Sequence, residues 1–170
     1  MAIGKPVPDF QLADTKGNSV TLSDYKGKVV MIHFWSATCP FVVRYEPRLQ
    51  ALTQAYTPKD VVVLGIDSNS TETLSQIKKV AGERGVNYPI LLDPGNKIAD
   101  TFGAITTPHV YLVNREGVLV YEGSVDDQGW KEEAPVTKEY AKEAIEATLS
   151  GNSVPSPTTK TFGCGVKRGS

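Results

Sequence analysis

Cysteine is nearly absent from this 170-residue chain: there are two, Cys39 and Cys164, alongside two histidines, His33 and His109. That scarcity excludes a fold stapled by a disulfide framework, so a bond between the two sulfurs would be functional before it was structural. A surplus of one charge is absent too. Lys and Arg number 18 against 19 Asp and Glu, for a net charge of −1. No long run of like charge occurs, and neither nucleic acid nor an anionic membrane surface is expected as a partner. No segment approaches the about 20 apolar residues of a membrane span. The opening "AIGKPVPDF" lacks the apolar stretch of about 7 to 15 residues that a secretory leader needs. A cytoplasmic chain without a membrane partner is the expectation.

What is present suits one core. Forty per cent of the residues are hydrophobic, enough for a single buried domain at this length. Alternating apolar residues at Phe10, Leu12 and Val20 to Leu22, separated by "DTKGN", predict an N-terminal β-hairpin. Val29 to Trp35 is apolar almost throughout and rich in β-branched residues, the pattern of a strand buried on both faces. From Pro40 the period becomes helical (Val42, Val43, Leu49, Leu52, Tyr56), with Pro40 suited to a first turn and Pro47 predicting a kink. "DVVVLGID" predicts a second buried strand, 71–85 an amphipathic helix, "YPILLD" an extended piece and "NKIADTFG" a short helix. His109 to Val113 and Val118 to Glu122 read as strands joined by "NREG", before a last helix over Thr137 to Ser150. This order predicts an α/β domain over residues 1–150 with a central mixed sheet flanked by helices. Residues 151–170 hold too much Pro, Gly, Ser and Thr for a core element and are expected to form an extended, flexible tail.

The chemistry concentrates where the first long strand meets the helix, at "HFWSATCPFVVRYEP". A cysteine there faces unpaired backbone N–H groups and the positive end of the helix dipole, both of which favour the thiolate. The alternative is a small buried hydrophobe. Cys164 lies between two glycines in the tail. A tail of about 20 residues spans about 60 Å when extended, so Cys164 can reach Cys39. Pairing within the chain, pairing between chains, glutathionylation and an inert thiol all remain open.

"FWSATCPFVVRYEP" resembles the active-site segment of thioredoxin-fold proteins, in which Phe-Trp, three residues and Cys-x-x-Cys open a helix carrying a proline eight positions after the first cysteine. The flanking "VPDFQLADTKGNSVTLSDYKGKVVMIHFW" and "AITTPHVYLVNREGVLVYEG" resemble redoxins of the alkyl hydroperoxide reductase and thiol-specific antioxidant type. The resemblance covers about residues 5–150. It implies a thioredoxin-like fold with a thiol-dependent oxidoreductase activity. Cys39 would be the nucleophile toward a peroxide or a disulfide, and Cys164 a resolving cysteine of the kind found near the C-terminus of two-cysteine peroxiredoxins.

The resemblance further implies a cis-proline at Pro108, with Thr107, Trp35 and Pro40 beside the substrate. Ser36 would donate a hydrogen bond to a thiolate or peroxide, or else satisfy a turn. His33 stands where thioredoxins carry a buried acid, and would move protons at the site or else sit satisfied in the core; His109 is a second candidate base. Arg44, five residues after Cys39, would hold a thiolate or a peroxide, or else face solvent. The partners implied are a thiol reductant of thioredoxin or glutathione type and a peroxide or disulfide substrate, for a monomer or homodimer without cofactor or metal.

Two departures from the pattern matter. Val42 stands where the second cysteine of Cys-x-x-Cys would be, and Ile32 stands where peroxiredoxins carry a proline. Other readings of the chain are a Cu(I)- or Zn(II)-binding module built on Cys39, Cys164 and a histidine, and a non-catalytic interaction domain. The acidic segment 124–137 is left without a role.

Overall fold

The computed structural model describes residues 1–169. β1 (Gln11–Ala13) and β2 (Ser19–Thr21) pair antiparallel as the predicted hairpin. Then come β3 (Val29–Trp35), α1 (Pro40–Tyr56), β4 (Val61–Asp67), α2 (Leu74–Arg84), β5 (Ile90–Leu92) and α3 (Lys97–Phe102). The chain continues through β6 (Thr106–Thr107), β7 (Val110–Val113), β8 (Leu119–Gly123), α4 (Tyr140–Leu149) and β9 (Cys164–Gly165).

Five of the strands form a mixed sheet in the order β5-β4-β3-β7-β8. β3 pairs parallel with β4 and antiparallel with β7, which makes it the central strand. All seven of its residues are buried, as a strand covered on both faces requires. Its alternate residues divide the core. Val29, Met31 and Trp35 pack with Val42, Tyr45 and Leu49 of α1, Ile77 of α2 and Ala144 and Ile145 of α4. Val30, Ile32 and Phe34 pack with Phe10, Leu22, Phe102 and Tyr111 on the other side. In β4, Gly65 leaves room for the Tyr88 ring, whose edge would lie 3.0 Å from a Cβ there.

α1 starts at Pro40, whose missing N–H costs nothing in a first turn, and it continues through Pro47 as one 17-residue element. α2 starts three residues later than predicted, because the Thr73 side chain caps it by accepting from the Gln76 N–H. No described helix is long and apolar enough to cross a membrane.

The segment expected to be a flexible tail is, over 151–169, a strap laid across the domain. Thr159 and Pro157 exchange backbone hydrogen bonds with Glu122 at the outer edge of β8. Further on, β9 pairs antiparallel with β6, setting Cys164 opposite Thr107 and Gly165 opposite Thr106. Val166 then donates to the Ile105 carbonyl, Lys167 to Asn69 Oδ1 and Gly169 to Asn96 Oδ1. Polar composition indicated freedom, but these backbone groups find partners on exposed edges, and one aromatic side chain, Phe162, is buried.

Candidate active site

Cys39 is the N-cap of α1, at the C-terminal end of β3. Pro40 has no N–H, and the first intrahelical bond runs from Val43 to the Cys39 carbonyl. The Phe41 and Val42 amides are therefore the helix's unclaimed donors beside the sulfur. Cys39 and Cys164 are joined in a disulfide with their Cα atoms 6.0 Å apart. Cys39 Sγ lies 3.4 Å from the Thr107 carbonyl oxygen. The Thr107–Pro108 bond is cis. Thr107 Oγ1 is buried with no partner, within the residue that pairs with Cys164.

The turn before Cys39 is held on two sides. Ser36 Oγ accepts from the Thr38 and Cys39 amides, each at 3.1 Å, and donates to Glu72 at 2.5 Å. The Glu72 carboxylate also takes the Ala37 N–H at 2.7 Å and the Thr38 hydroxyl at 2.8 Å. Arg84, at the end of α2, donates to the Ser36 and Ala37 carbonyls at 3.1 and 2.7 Å. Its guanidinium lies 5.1 Å above the Trp35 ring and 3.8 Å from the buried Glu46 carboxylate. Glu46 accepts from Trp35 Nε1 at 2.9 Å and from the Tyr88 hydroxyl. Buried polar groups paired in this way act as a unit.

Behind the turn sit two carboxyls, Asp67 at the end of β4 and Glu72. Burial, and then the neighbouring Glu72 carboxylate, push the Asp67 carboxyl up to about 8, so it is the protonated member at neutral pH. Burial opposes ionisation of Glu72, but the neighbouring Asp67 carboxyl and the hydrogen bonds from Ser36, Ala37 and Thr38 outweigh it and hold Glu72 below the usual carboxylate range.

The other sequence-derived candidates fall in varied places. Ser36 uses both lone pair and proton on the turn. His33 is fully buried with neither ring nitrogen hydrogen-bonded, its ring edge-on to Tyr88 at 4.7 Å. Burial drives it down to about 3, so it is neutral and has no hydrogen-bonded path to Cys39. Trp35, expected beside the substrate, is fully buried beneath Arg84 and supports the site from below. Pro40 is exposed at the helix start. His109 stacks on Tyr111 at 4.5 Å and meets Glu122 at 3.3 Å. Burial lowers its pKa against the opposing pull of Glu122. Arg44 neither reaches Cys39 nor faces open solvent: it donates to the Gly129 carbonyl at 2.7 Å and lies 5.0 Å over the Phe41 ring.

Sequence reading missed Glu46, Glu72, Asp67, Arg84 and Phe162. Glu46 had a signal, since seven residues after Cys39 is two helical turns along the same face. Phe162 had one as well, as the lone aromatic of the tail, two residues before its cysteine. Glu72 had none, because it comes from a loop 36 residues away from Ser36.

A thiol redox centre at the N-terminus of a helix, beside a cis-proline and on a mixed sheet, defines the class: this is a thioredoxin-fold oxidoreductase. The chain belongs to the AhpC/TSA family, whose pattern matches residues 3–122; β9 and Cys164 lie beyond that segment. It is 30% identical over 122 residues to thiol-disulfide oxidoreductase ResA of Bacillus thuringiensis subsp. konkukian, covering 72% of this chain and 69% of that protein. Two solved structures superpose over nearly the whole length. A hypothetical protein of Sinorhizobium meliloti 1021 has a TM-score of 0.92 at 30% identity, over 100% of this chain and 96% of that one. An uncharacterized conserved protein of Geobacillus kaustophilus has a TM-score of 0.91 at 34% identity, over 98% and 92%. Peroxidoxin BcpB of Mycobacterium tuberculosis shares the fold, with a TM-score of 0.68 at 22% identity, over 89% and 97%.

Proposed function

We propose that the protein performs thiol–disulfide exchange on polypeptide disulfides, cycling between a Cys39 and Cys164 dithiol and the disulfide between them. The observation that carries this reading is the seat of Cys164: an extended segment pairs with Thr107 beside the cis-proline and delivers its sulfur to Cys39. A substrate chain lying along the same edge would present its own sulfur in the same way. The ResA relative, named as a thiol-disulfide oxidoreductase, supports it further.

In the first half-reaction the Cys39 thiolate, favoured by the helix N-terminus, attacks one sulfur of the substrate disulfide. A Cys39-to-substrate bond forms and the other substrate sulfur leaves as a thiolate, which takes a proton from water. Cys164 thiolate then attacks Cys39 Sγ, forming the internal disulfide and releasing the second substrate thiol. Two electrons pass from the protein to the substrate. Val42, a hydrocarbon at the second position of the thioredoxin pattern, cannot perform that second attack; Cys164 takes its place.

A partner dithiol reductant restores the starting state. Cys39 is only 3% exposed, whereas Cys164 is half-buried between glycines, so the reductant's thiolate attacks Cys164. Cys39 then departs as the better-stabilised thiolate.

The test is intact mass after reaction of the reduced wild type, Cys164→Ser and Cys39→Ser with a peptide disulfide and, separately, with hydrogen peroxide. The wild type should convert to the internal disulfide and release two peptide thiols. Cys164→Ser should stop at a peptide mixed disulfide on Cys39, and Cys39→Ser should not react. Oxidation of Cys39 by peroxide within seconds, with peptide disulfides inert, would replace this reading by a peroxidase.

A further inference from the structure

Phe162 is inserted among aromatic rings that no step of the exchange uses. Its ring centroid lies 5.7 Å from Tyr45, 6.0 Å from Trp130 and 6.3 Å from Phe41, and the Arg44 guanidinium stands 5.7 Å above it. It is 6% exposed, while Trp130, which forms the outer wall, is 63% exposed. Trp130 belongs to the 124–137 segment, for which the sequence offered no role.

Apart from the Ser124 contact with Thr159 at the start of the loop, the walls of this pocket are fixed to one another directly. Arg44 of α1 donates to Gly129 of the loop. The Tyr45 hydroxyl and Arg48, both of α1, hold the two oxygens of Asp126 at 2.6 and 2.7 Å. Gln128 then closes the loop on the Glu132 and Ala134 carbonyls at 2.8 and 2.9 Å. Trp130 and Phe41 meet edge-on at 5.5 Å. When the strap leaves, these walls stay and present an apolar, cation-topped pocket to water. Such a pocket gains free energy by taking up another aromatic ring.

The strap also shows the register such a ring must have. Cys164 sits opposite Thr107, and Phe162 is two residues before it. Gly163 between them has φ 141°, and a Cβ there would run into the Thr107 carbonyl. Sulfur, backbone and ring are thus read at three fixed points: Cys39, Thr107 and the Phe41, Tyr45 and Trp130 pocket.

Building on the exchange reading above, we propose that the pocket is a substrate subsite for an extended polypeptide with an aromatic residue two positions before its disulfide cysteine and a glycine between them. The strap is the internal competitor for this subsite. Once the mixed disulfide has formed, closure of the Cys39–Cys164 bond brings Phe162 back into the pocket and expels the product's ring. The acidic loop serves as the pocket's outer wall.

The test uses the full-length Phe162→Ala/Cys164→Ser chain, in which the competing ring and the resolving sulfur are both gone. Disulfide dimers of acetyl-Phe-Gly-Cys-Gly-amide and acetyl-Ala-Gly-Cys-Gly-amide are compared for the rate of mixed-disulfide formation on Cys39, at concentrations well below saturation. The phenylalanine peptide should react about tenfold faster, the factor that about 1.4 kcal/mol of binding corresponds to. Adding Trp130→Ala should bring the two peptides within about twofold of each other, since the loss of one wall ring removes most of an aromatic contact. Equal rates for the two peptides in the double variant would overturn the subsite and leave the exchange reading standing. No mixed disulfide with either peptide, while peroxide oxidises Cys39, would overturn both.

Discussion

Cys39 caps the N-terminus of a 17-residue helix and is preceded by a turn whose amides and carbonyls are taken up by Ser36, Glu72 and Arg84. Cys164 lies in a two-residue strand, on a segment held by backbone hydrogen bonds to edges and loops. The first cysteine is mounted on groups that are mutually dependent and reach down to the buried Glu46; the second is held by contacts that can be given up one after another. The contrast fits the division of labour in an exchange reaction: the attacking sulfur must keep its place, and the resolving sulfur must leave and return. Stability differs across a structure in this sense, with segments of few buried apolar contacts opening first.

The mount can be broken at Glu46. Glu46→Ala strands the Trp35 N–H and the Tyr88 hydroxyl and takes the counter-charge from the Arg84 guanidinium. Removing one partner of a buried charged group costs about 3–5 kcal/mol, so urea unfolding of the reduced protein should show a loss of that size. A loss below about 1 kcal/mol would mean that Ser36, Glu72 and Arg84 hold the turn without support from Glu46. On the strap, Phe162→Ala removes the one buried aromatic side chain of the tail. The cost is about 1.5–3 kcal/mol, and it should fall on docking of the strap and not on global unfolding. Hydrogen exchange at the Val166 and Lys167 amides, both bonded to the domain, should accelerate in the oxidised protein while β3 amides keep their protection. Equal loosening of both would erase the contrast.

Gly163→Ala probes the same seat more gently. The added Cβ meets the Thr107 carbonyl at a φ that L-residues rarely adopt. In a glutathione redox buffer the disulfide-to-dithiol ratio of the variant should fall about tenfold, equivalent to about 1.4 kcal/mol. An unchanged ratio would show that the strap reseats at no cost.

The mount was more legible in the sequence than the strap, for physical reasons. β3, α1 and the hairpin follow from local periodicity, and the position of Cys39 between strand and helix follows from them. Pro108 was singled out by family resemblance, and its bond is cis; composition alone would have read it as an edge proline. The Cys39–Cys164 pair spans 125 residues, and no local pattern selects intramolecular pairing over the alternatives at that distance. The strap misled because its order comes from edges supplied by the rest of the fold, while its own composition is that of a free chain. Trp35 is buried where the resemblance implies a place beside the substrate, for a similar reason: a strand ending in a motif does not say which of its side chains reach the surface. Glu72 and Asp67 meet at the turn only because β4 lies beside β3 in parallel register.

That last pair gives a test of the mount that works through pH and removes no side chain of the turn. Asp67 holds its proton up to about 8 in the folded protein, whereas an unfolded aspartate releases it near pH 3.9. Between these values the folded state binds more protons than the unfolded one, so this group makes stability fall as pH rises, by at most about 1.4 kcal/mol per pH unit. Glu72, the charged neighbour, is shifted the other way; its contribution is lost only as pH falls below the ordinary carboxylate range, outside this window. Asp67→Asn keeps a polar group of the same shape beside Glu72 but cannot titrate. Unfolding free energies measured from pH 5 to pH 8 should decline less steeply for the variant than for the wild type, and the two curves should draw apart toward pH 8 in favour of the variant. Parallel curves would mean that Asp67 is already ionised at pH 5, and that Glu72 holds the Cys39 turn without sharing a proton behind it.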